Sequence, residues 1–572
     1  MSATKHYNDW PNAGAFNALG DQKQKIKLGI TGSFPDYAAG VLYRTGPGGY
    51  KIPRADSQDG DFACSHWFDG FVTTHRFELQ HGKDGQCSEI WYSSCSQVDE
   101  AIEVARKTGR LEGITFAQKR DPCDTLYKKL KTVFEPVFDA RPASANIGVT
   151  FREAMPSELP SAGSRKDSGG SAPSATDSGY DSGGPPGTVP SPRKVMLLTT
   201  DSATGKTFDA DTLEPLGVAK QATLHPALKG QLSGAHATRD PNTGDMFNYN
   251  LELGPKSVYR IWRANASTGK VDILAEISDP SLKAAYIHSS FLTENYVILC
   301  VWCSFLQPYG VSVLWNRNIL DSLSAFDKKS RATWLVIDRN GRGLVKKFTS
   351  PAFFSFHTTN AWEQEGPDGT TDIVCELVEF DNVDILHRFY YKNLVSDESN
   401  VSAFNKKFRE EHRERLTRYR LSGISTSDVQ PKYSRVLVGQ AEKILTIDSP
   451  DAGDLQQCNP HYKFRAHRYS WGVRDTGRSS FVDGIVKSDT ATRTALWWGQ
   501  EKHTPGEPIF VPAPRVGAAE DEGVILTIVF DGEKGTSYLL CLDAATMQER
   551  GRAEVGSPVG LGFHGTHVRS SL

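Results

Sequence analysis

The 572-residue sequence contains no apolar run near the ~18 residues that a membrane-spanning helix requires. Its first residues, "MSATKHYNDWPNAG", lack the apolar core of a secretory signal. A cytoplasmic location is expected, peripheral on membranes or lipid droplets, and the sequons at Asn265 and Asn400 then carry no glycan. The formal net charge is only −3, so no field of one sign draws a polyanion, and nucleic acid is not an expected partner. The nine cysteines are scattered and odd in number, which argues against a disulfide framework and for a reducing compartment. The pair Cys300 and Cys303 sits in the β-type run "NYVILCVWCSF", where i and i+3 face opposite ways, so buried strand residues are expected rather than a metal clip. No local metal motif such as HExxH is present, and no clean WD or kelch repeat.

Short β-type runs punctuated by turns fill most of the chain. The segment "GVILTIVFDGEKGTSYLLCLDAATM" is the plainest, with apolar strands on either side of a "DGEKG" turn. So many antiparallel hairpins in one chain predict an all-β fold. A large propeller fits, because radial repetition leaves few long exposed edges. Residues 157–193 are rich in Ser, Gly and Pro and are expected to be disordered. They interrupt the runs "ANIGVTF" (145–151) and "KVMLLTT" (194–200), so they read as an insertion in one hairpin of a single domain spanning 1–572. The stretch "KKFREEHRERLTRYR" (406–420) mixes both charges and reads as a solvated helix face. A second helical stretch, 124–138, sets Leu126, Leu130, Val133 and Val137 near one face with lysines 128, 129 and 131 beside it. It either packs on the core or touches a membrane surface.

Most of the fifteen histidines need no special reading. His81 and His503 lie in polar segments and are expected to be exposed, while His66 and His75 read as core or structural. Four others stand at or just before β-type runs, beside small or hydroxyl residues: His236, His288, His357 and His564. Their wide spacing would bring each ligand from a different hairpin, a geometry that a propeller axis offers. His225 competes with His236, and His567 with His564. Residue spacing alone leaves scattered core histidines as the default.

A further constraint comes from likeness. "GVLYRTGPGG" (40–49), "HWFDGF" (66–71), "DADTLEPLG" (209–217) and "GEPIFVP" (506–512) before "EDEGVILTIVFD" (520–531) resemble, in this order, segments of the carotenoid cleavage oxygenases. The likeness covers nearly the whole chain outside 157–193. It implies a seven-bladed β-propeller with a helical cap over an axial Fe(II) held by four histidines. The family's ligand segments are similar to "GAHATRDPNTG", "YIHSSFLTENYVI", "FSFHTTNAWE" and "GFHGTH", so the resemblance carries the ligand role to His236, His288, His357 and His564. It decides against His225 and His567, since the family's last ligand is followed directly by glycine, here Gly565, expected to leave room beside the metal. The family supports its second, third and fourth histidines with glutamates. The matching places here are Asp201, Asp454 and Glu507, so two arms are one methylene shorter, which requires either closer backbones or a bridging water.

The resemblance implies cleavage of a conjugated C=C bond with O2 to give two carbonyl products. The opening "YNDWPNAGAF" and the segment 454–473 look most like fungal members that shorten torulene, so an apolar polyene and O2 are the expected partners. A stilbene-cleaving member of the family is the nearest alternative. Those members carry a lysine where this chain has Thr200, and a partnering tyrosine that 134–148 lacks. A non-catalytic propeller that binds a lipid or a partner is the alternative of another class. "FFSF" (353–356) and "VWCSFLQPYGV" (301–311) are expected to add apolar lining.

Overall fold

The hairpin foreseen around "DGEKG" forms: Gly523–Asp531 pairs antiparallel with Thr536–Asp543, closing at Asp531 opposite Thr536. Both strands are buried on both faces, which is why their apolar runs are nearly continuous rather than alternating. The structure is a computed structural model, and it describes residues 10–54, 60–119, 141–159, 194–307, 310–395, 413–425 and 438–570. The helical stretch 124–138 and the insertion from residue 160 onward lie outside these.

Seven antiparallel-rich sheets of four to six strands follow one another along the chain as propeller blades. The ring is closed twice. The strand His564–Arg569 pairs with Gly40–Gly49, joining the end of the described chain to the first blade. The strand Gly29–Gly32 pairs with Glu549–Glu554, joining the start of the chain to the last blade. The runs on either side of the insertion pair as a hairpin, with Thr150 opposite Thr199. Residues Pro156–Glu158 still belong to the fold as a short 3-10 turn, because Glu158 is buried in an ion pair with Arg152 at 2.5 Å.

Helices are few and short, the longest described being Asp99–Thr108. No described helix is long and apolar enough to cross a membrane. The charged stretch 406–420 is not a helix face where it is described. Arg415–Ile424 is an inner strand of a four-stranded blade. Its charges are absorbed by the neighbouring strand: Arg418 Nε meets Glu376 at 2.6 Å, and Arg415 Nη2 meets Glu379 at 3.2 Å. Leu416, Tyr419 and Leu421 supply the core contacts. His503 is also not exposed; it is buried, with Nδ1 3.0 Å from the Tyr538 hydroxyl. Cys300 and Cys303 are buried in the core, and burial raises both thiols above the ordinary range.

Candidate metal centre

Each of the four selected histidines stands at the edge of a sheet. His236 and His288 precede the short strands Thr238–Arg239 and Phe291–Leu292, His357 precedes Thr358–Glu365, and His564 opens His564–Arg569. Adjacent segments are tied to one another rather than only to their own blades. His236 N–H donates to His288 O (3.2 Å), the Ser289 hydroxyl donates to Phe356 O (2.7 Å), and Thr358 N–H donates to Ser289 Oγ (3.1 Å). The ligand-type nitrogens therefore converge from different blades, all within 4.8 Å of one another. His225 lies apart from the cluster, its Nδ1 accepting from Ala227 N–H. His567 turns away too, placing Nε2 2.9 Å from Ala38 O.

Three of the rings are backed by carboxylates. His288 Nδ1 is 2.7 Å from Asp201, His357 Nδ1 is 2.8 Å from Asp454, and His564 Nδ1 is 2.9 Å from Glu507. A carboxylate only accepts, so each Nδ1 carries the proton and each Nε2 is left as a lone pair. The shorter aspartates make direct contact; backbone approach closes the missing methylene and no bridging water is needed. Asp201 also accepts from the Tyr286 hydroxyl (2.9 Å). Asp454 accepts from Leu455 N–H (2.8 Å), and Leu455 takes the left-handed conformation, φ 55°, to present it.

Glu507 is the most enclosed carboxylate, and every partner is a donor. Arg44 Nη1 lies at 3.0 Å, Gly565 N–H at 2.6 Å and Gln457 Nε2 at 3.0 Å, besides the His564 ring. Burial pushes its carboxyl up to about 7, and Arg44 and the Gly565 amide pull against that. Arg44 was not foreseen, although a lone arginine in the apolar strand "GVLYRTG" was the available signal. Tyr286 was legible as well, since it lies two residues before His288. Gly565 serves Arg44 and not the metal side: a Cβ there would meet Arg44 Cδ at 2.6 Å and Tyr43 O at 2.9 Å.

The electrostatics fit a cation at the centre. His236 Nε2 faces His288 Nε2 at 3.1 Å and His564 Nε2 at 3.0 Å, while His357 and His564 face each other at 3.3 Å. Two imidazole nitrogens bound at right angles to one metal, each about 2.1 Å away, lie about 3 Å apart. Burial, with the neighbouring rings, holds His236 and His564 well below the ordinary histidine range, so both stay neutral and ready to ligate. His357 is raised: burial opposes its charge, but Asp454 beside it outweighs burial.

The constellation opens into a cavity. Its walls are mainly apolar and rich in aromatic rings, including Trp67, Phe68, Phe356, Phe389, Phe481 and Phe563. Phe356 is thus the one residue of "FFSF" on the wall; Phe353 and Phe354 pack in the core, as does Trp302. Thr200 lines the cavity, and no lysine or tyrosine is among the described lining residues.

Comparison with known proteins agrees with this architecture. The family profile for RPE65, retinal pigment epithelial membrane protein, matches residues 16–569. A Neurospora crassa protein named carotenoid dioxygenase is 41% identical over 99% of this chain and 92% of its own length. A Gibberella fujikuroi protein named torulene dioxygenase is 40% identical, covering 98% of this chain and 94% of its own. Among solved structures, a variant of the Synechocystis apocarotenoid oxygenase shares the fold with a TM-score of 0.70 at 17% identity, covering 99% of this chain and 100% of its own. A cobalt-substituted form of that oxygenase gives 0.68 at 18% identity, covering 98% of this chain and 99% of its own. The chain belongs to the RPE65 family, the carotenoid cleavage oxygenases.

Proposed function

We propose that this protein is an Fe(II)-dependent dioxygenase that cleaves a conjugated C=C bond of a carotenoid, torulene or a related polyene, into two aldehydes. The observation that carries the reading is the cluster of four histidines at the mouth of an aromatic cavity. His236, His288, His357 and His564 would hold the iron, which suits imidazole ligands. Bound iron supplies O2 binding and activation beside four uncharged ligands. The reaction balances without another co-reactant, since one C=C bond and one O2 become two C=O groups.

The chain's own residues do the rest. Asp201, Asp454 and Glu507 fix the ring tautomers and keep the Nε2 lone pairs aimed inward. The aromatic walls exclude water and hold a flat conjugated chain against the centre. The phenol-cleaving alternative lacks support in the cavity, because no described lining lysine or tyrosine is present to hold a phenol oxygen. The spacing of apolar residues and lysines in the sequence 124–138 supports peripheral contact with a membrane. We read the whole chain as one domain.

Mass identification of products from a carotenoid panel tests the function. Two aldehydes whose carbons sum to the substrate are expected, from protein holding one iron per chain. Protein with one iron per chain that yields products from resveratrol-type phenols only, or from no substrate, overturns it.

A further inference from the structure

One buried carboxylate outside the histidine cluster acts on the cavity wall through the backbone. Asp69 ends the short 3-10 turn Trp67–Asp69 and is only 4% exposed. Its Oδ1 accepts from Phe116 N–H (2.6 Å) and its Oδ2 from Ala117 N–H (2.8 Å). Burial pushes this carboxyl up to about 6, and the amides of Ala117, Phe116 and Gln118 pull against that, so it is charged at neutral pH. Its own carbonyl is held as well, by Asn146 Nδ2 at 3.1 Å. Ser65 adds two ties to the same segment. Its N–H donates to the Gln118 side-chain oxygen (2.8 Å), and its hydroxyl accepts from Lys119 N–H (3.2 Å). The rings beside this clamp line the cavity: Phe68, next to Asp69, and Phe116 lie 4.7 Å apart, edge to face. The pair abuts residues that adjoin three of the four cluster histidines. Phe68 lies 5.8 Å from Phe356, next to His357, and 5.4 Å from Phe563, next to His564. Phe116 lies 5.5 Å from Tyr286, whose hydroxyl donates to the Asp201 carboxylate behind His288.

Burying a charge is costly, and successive amides aimed at one carboxylate both offset that cost and fix the backbone that carries them. A carboxylate suits the place because it only accepts; an asparagine of the same shape turns a donor toward one amide. Apolar walls alone let a polyene slide, since hydrophobic contact is non-directional. A fixed edge-to-face ring pair breaks that equivalence. We propose that Asp69 is a positioning residue for bond selection: its grip on the amides of residues 116 and 117 holds the Phe116 ring against Phe68, and this ring pair sets which double bond of the polyene lies at the histidine cluster. The inference rests on the polyene-cleavage reading above and adds to it the group that selects the bond.

The test uses iron-loaded full-length protein and one long carotenoid, with every aldehyde identified by mass. The parent protein should give one pair. Asp69→Asn should add a second pair from the neighbouring double bond, one product longer and the other shorter by two chain carbons. A misplacement of about 1 Å can cost about 100-fold in rate, so kcat for the parent bond should fall by up to that factor while KM changes much less. Asp69→Ser, whose hydroxyl can still accept, is read in the same way should the asparagine variant not fold. Phe116→Leu should give the same second pair, and combining it with Asp69→Asn should add nothing further, because both act through one ring. A single parent pair in the Asp69 variants overturns the proposal, whether the rate holds or falls with lost iron. An Asp69 effect that adds in full to that of Phe116→Leu overturns it as well. Induced circular dichroism of the bound carotenoid, measured without O2, separates this from failure of the cleavage reading. A visible-band signal that Asp69→Asn and Phe116→Leu reduce to one level upholds the positioning role even where no product forms. An identical signal in the parent and both variants overturns it.

Discussion

His564 and His567 lie on one strand, three residues apart, and have opposite surroundings. His564 meets three other rings and has a carboxylate behind it. His567 points to the other face and meets the carbonyl of Ala38. His66 and His75 resemble the second case: His66 Nε2 lies 2.8 Å from Leu386 O, and His75 Nδ1 lies 3.0 Å from the Tyr92 hydroxyl. Burial neutralises all of these rings. What separates the proposed ligands from the packing residues is the convergence of one ring nitrogen on the other rings, backed by a carboxylate in three of the four.

The sharpest way to break this comparison is to remove one ring from each class. His564→Ala should reduce bound iron to background and abolish product, whereas His567→Ala should keep iron at one per chain and lose only about 1 kcal/mol of stability. Metal analysis and a urea midpoint read both. Iron loss in His567→Ala would invert the assignment.

The next effect concerns the acceptors. Glu507→Gln leaves Arg44 buried without its counter-ion, so it should cost about 3–5 kcal/mol of stability as well as roughly 10–100-fold in metal affinity. Asp454→Asn strands no buried cation. It should weaken metal affinity by about tenfold with little change in the denaturation midpoint. Equal stability losses in the two variants would show that the Arg44 pair is not the difference between these arms.

A smaller effect follows from the packing class. Burial lowers His66 and His75 to about 3 and His567 to about 4. Between these values and the ~6.5 of an unfolded chain, the unfolded state binds protons that the folded state refuses. Their contribution is complete above about pH 6.5 and is lost as pH falls toward 3–4. At pH 5, His66 and His75 should each withdraw about 2 kcal/mol relative to pH 7. Urea titrations of metal-free protein at the two pH values measure this, and His75→Asn should flatten part of the slope. The smallest effect is a rise in melting temperature on adding iron to metal-free protein, growing with the logarithm of iron concentration and absent in His564→Ala.

Much of this was legible in the sequence. The β-rich punctuation exposed the hairpins, and the positions of His236, His288, His357 and His564 before strands marked the axis. The family resemblance, rather than spacing, chose His564 over His567. Other features were hidden for identifiable reasons. Arg415 and Arg418 read as a helix face because their glutamate partners lie on a neighbouring strand, more than thirty residues away in the chain. His503 looked exposed because its partner Tyr538 arrives from another strand of the same blade. Arg388 ends the short helix Ile385–Arg388 and Glu414 stands just before the strand Arg415–Ile424, so only the folded cavity sets them on one wall.

The double closure of the ring has a consequence for biosynthesis. Gly40–Gly49 leaves the ribosome early and keeps an open edge until His564–Arg569 arrives, more than five hundred residues later. At about 5–20 residues per second that wait is of the order of a minute. The proposed fourth ligand, His564, is carried on the strand that seals this edge, so metal loading belongs after that strand has been made. An interrupted chain has an exposed strand and three histidines without the fourth, a nascent species that a chaperone should recognise.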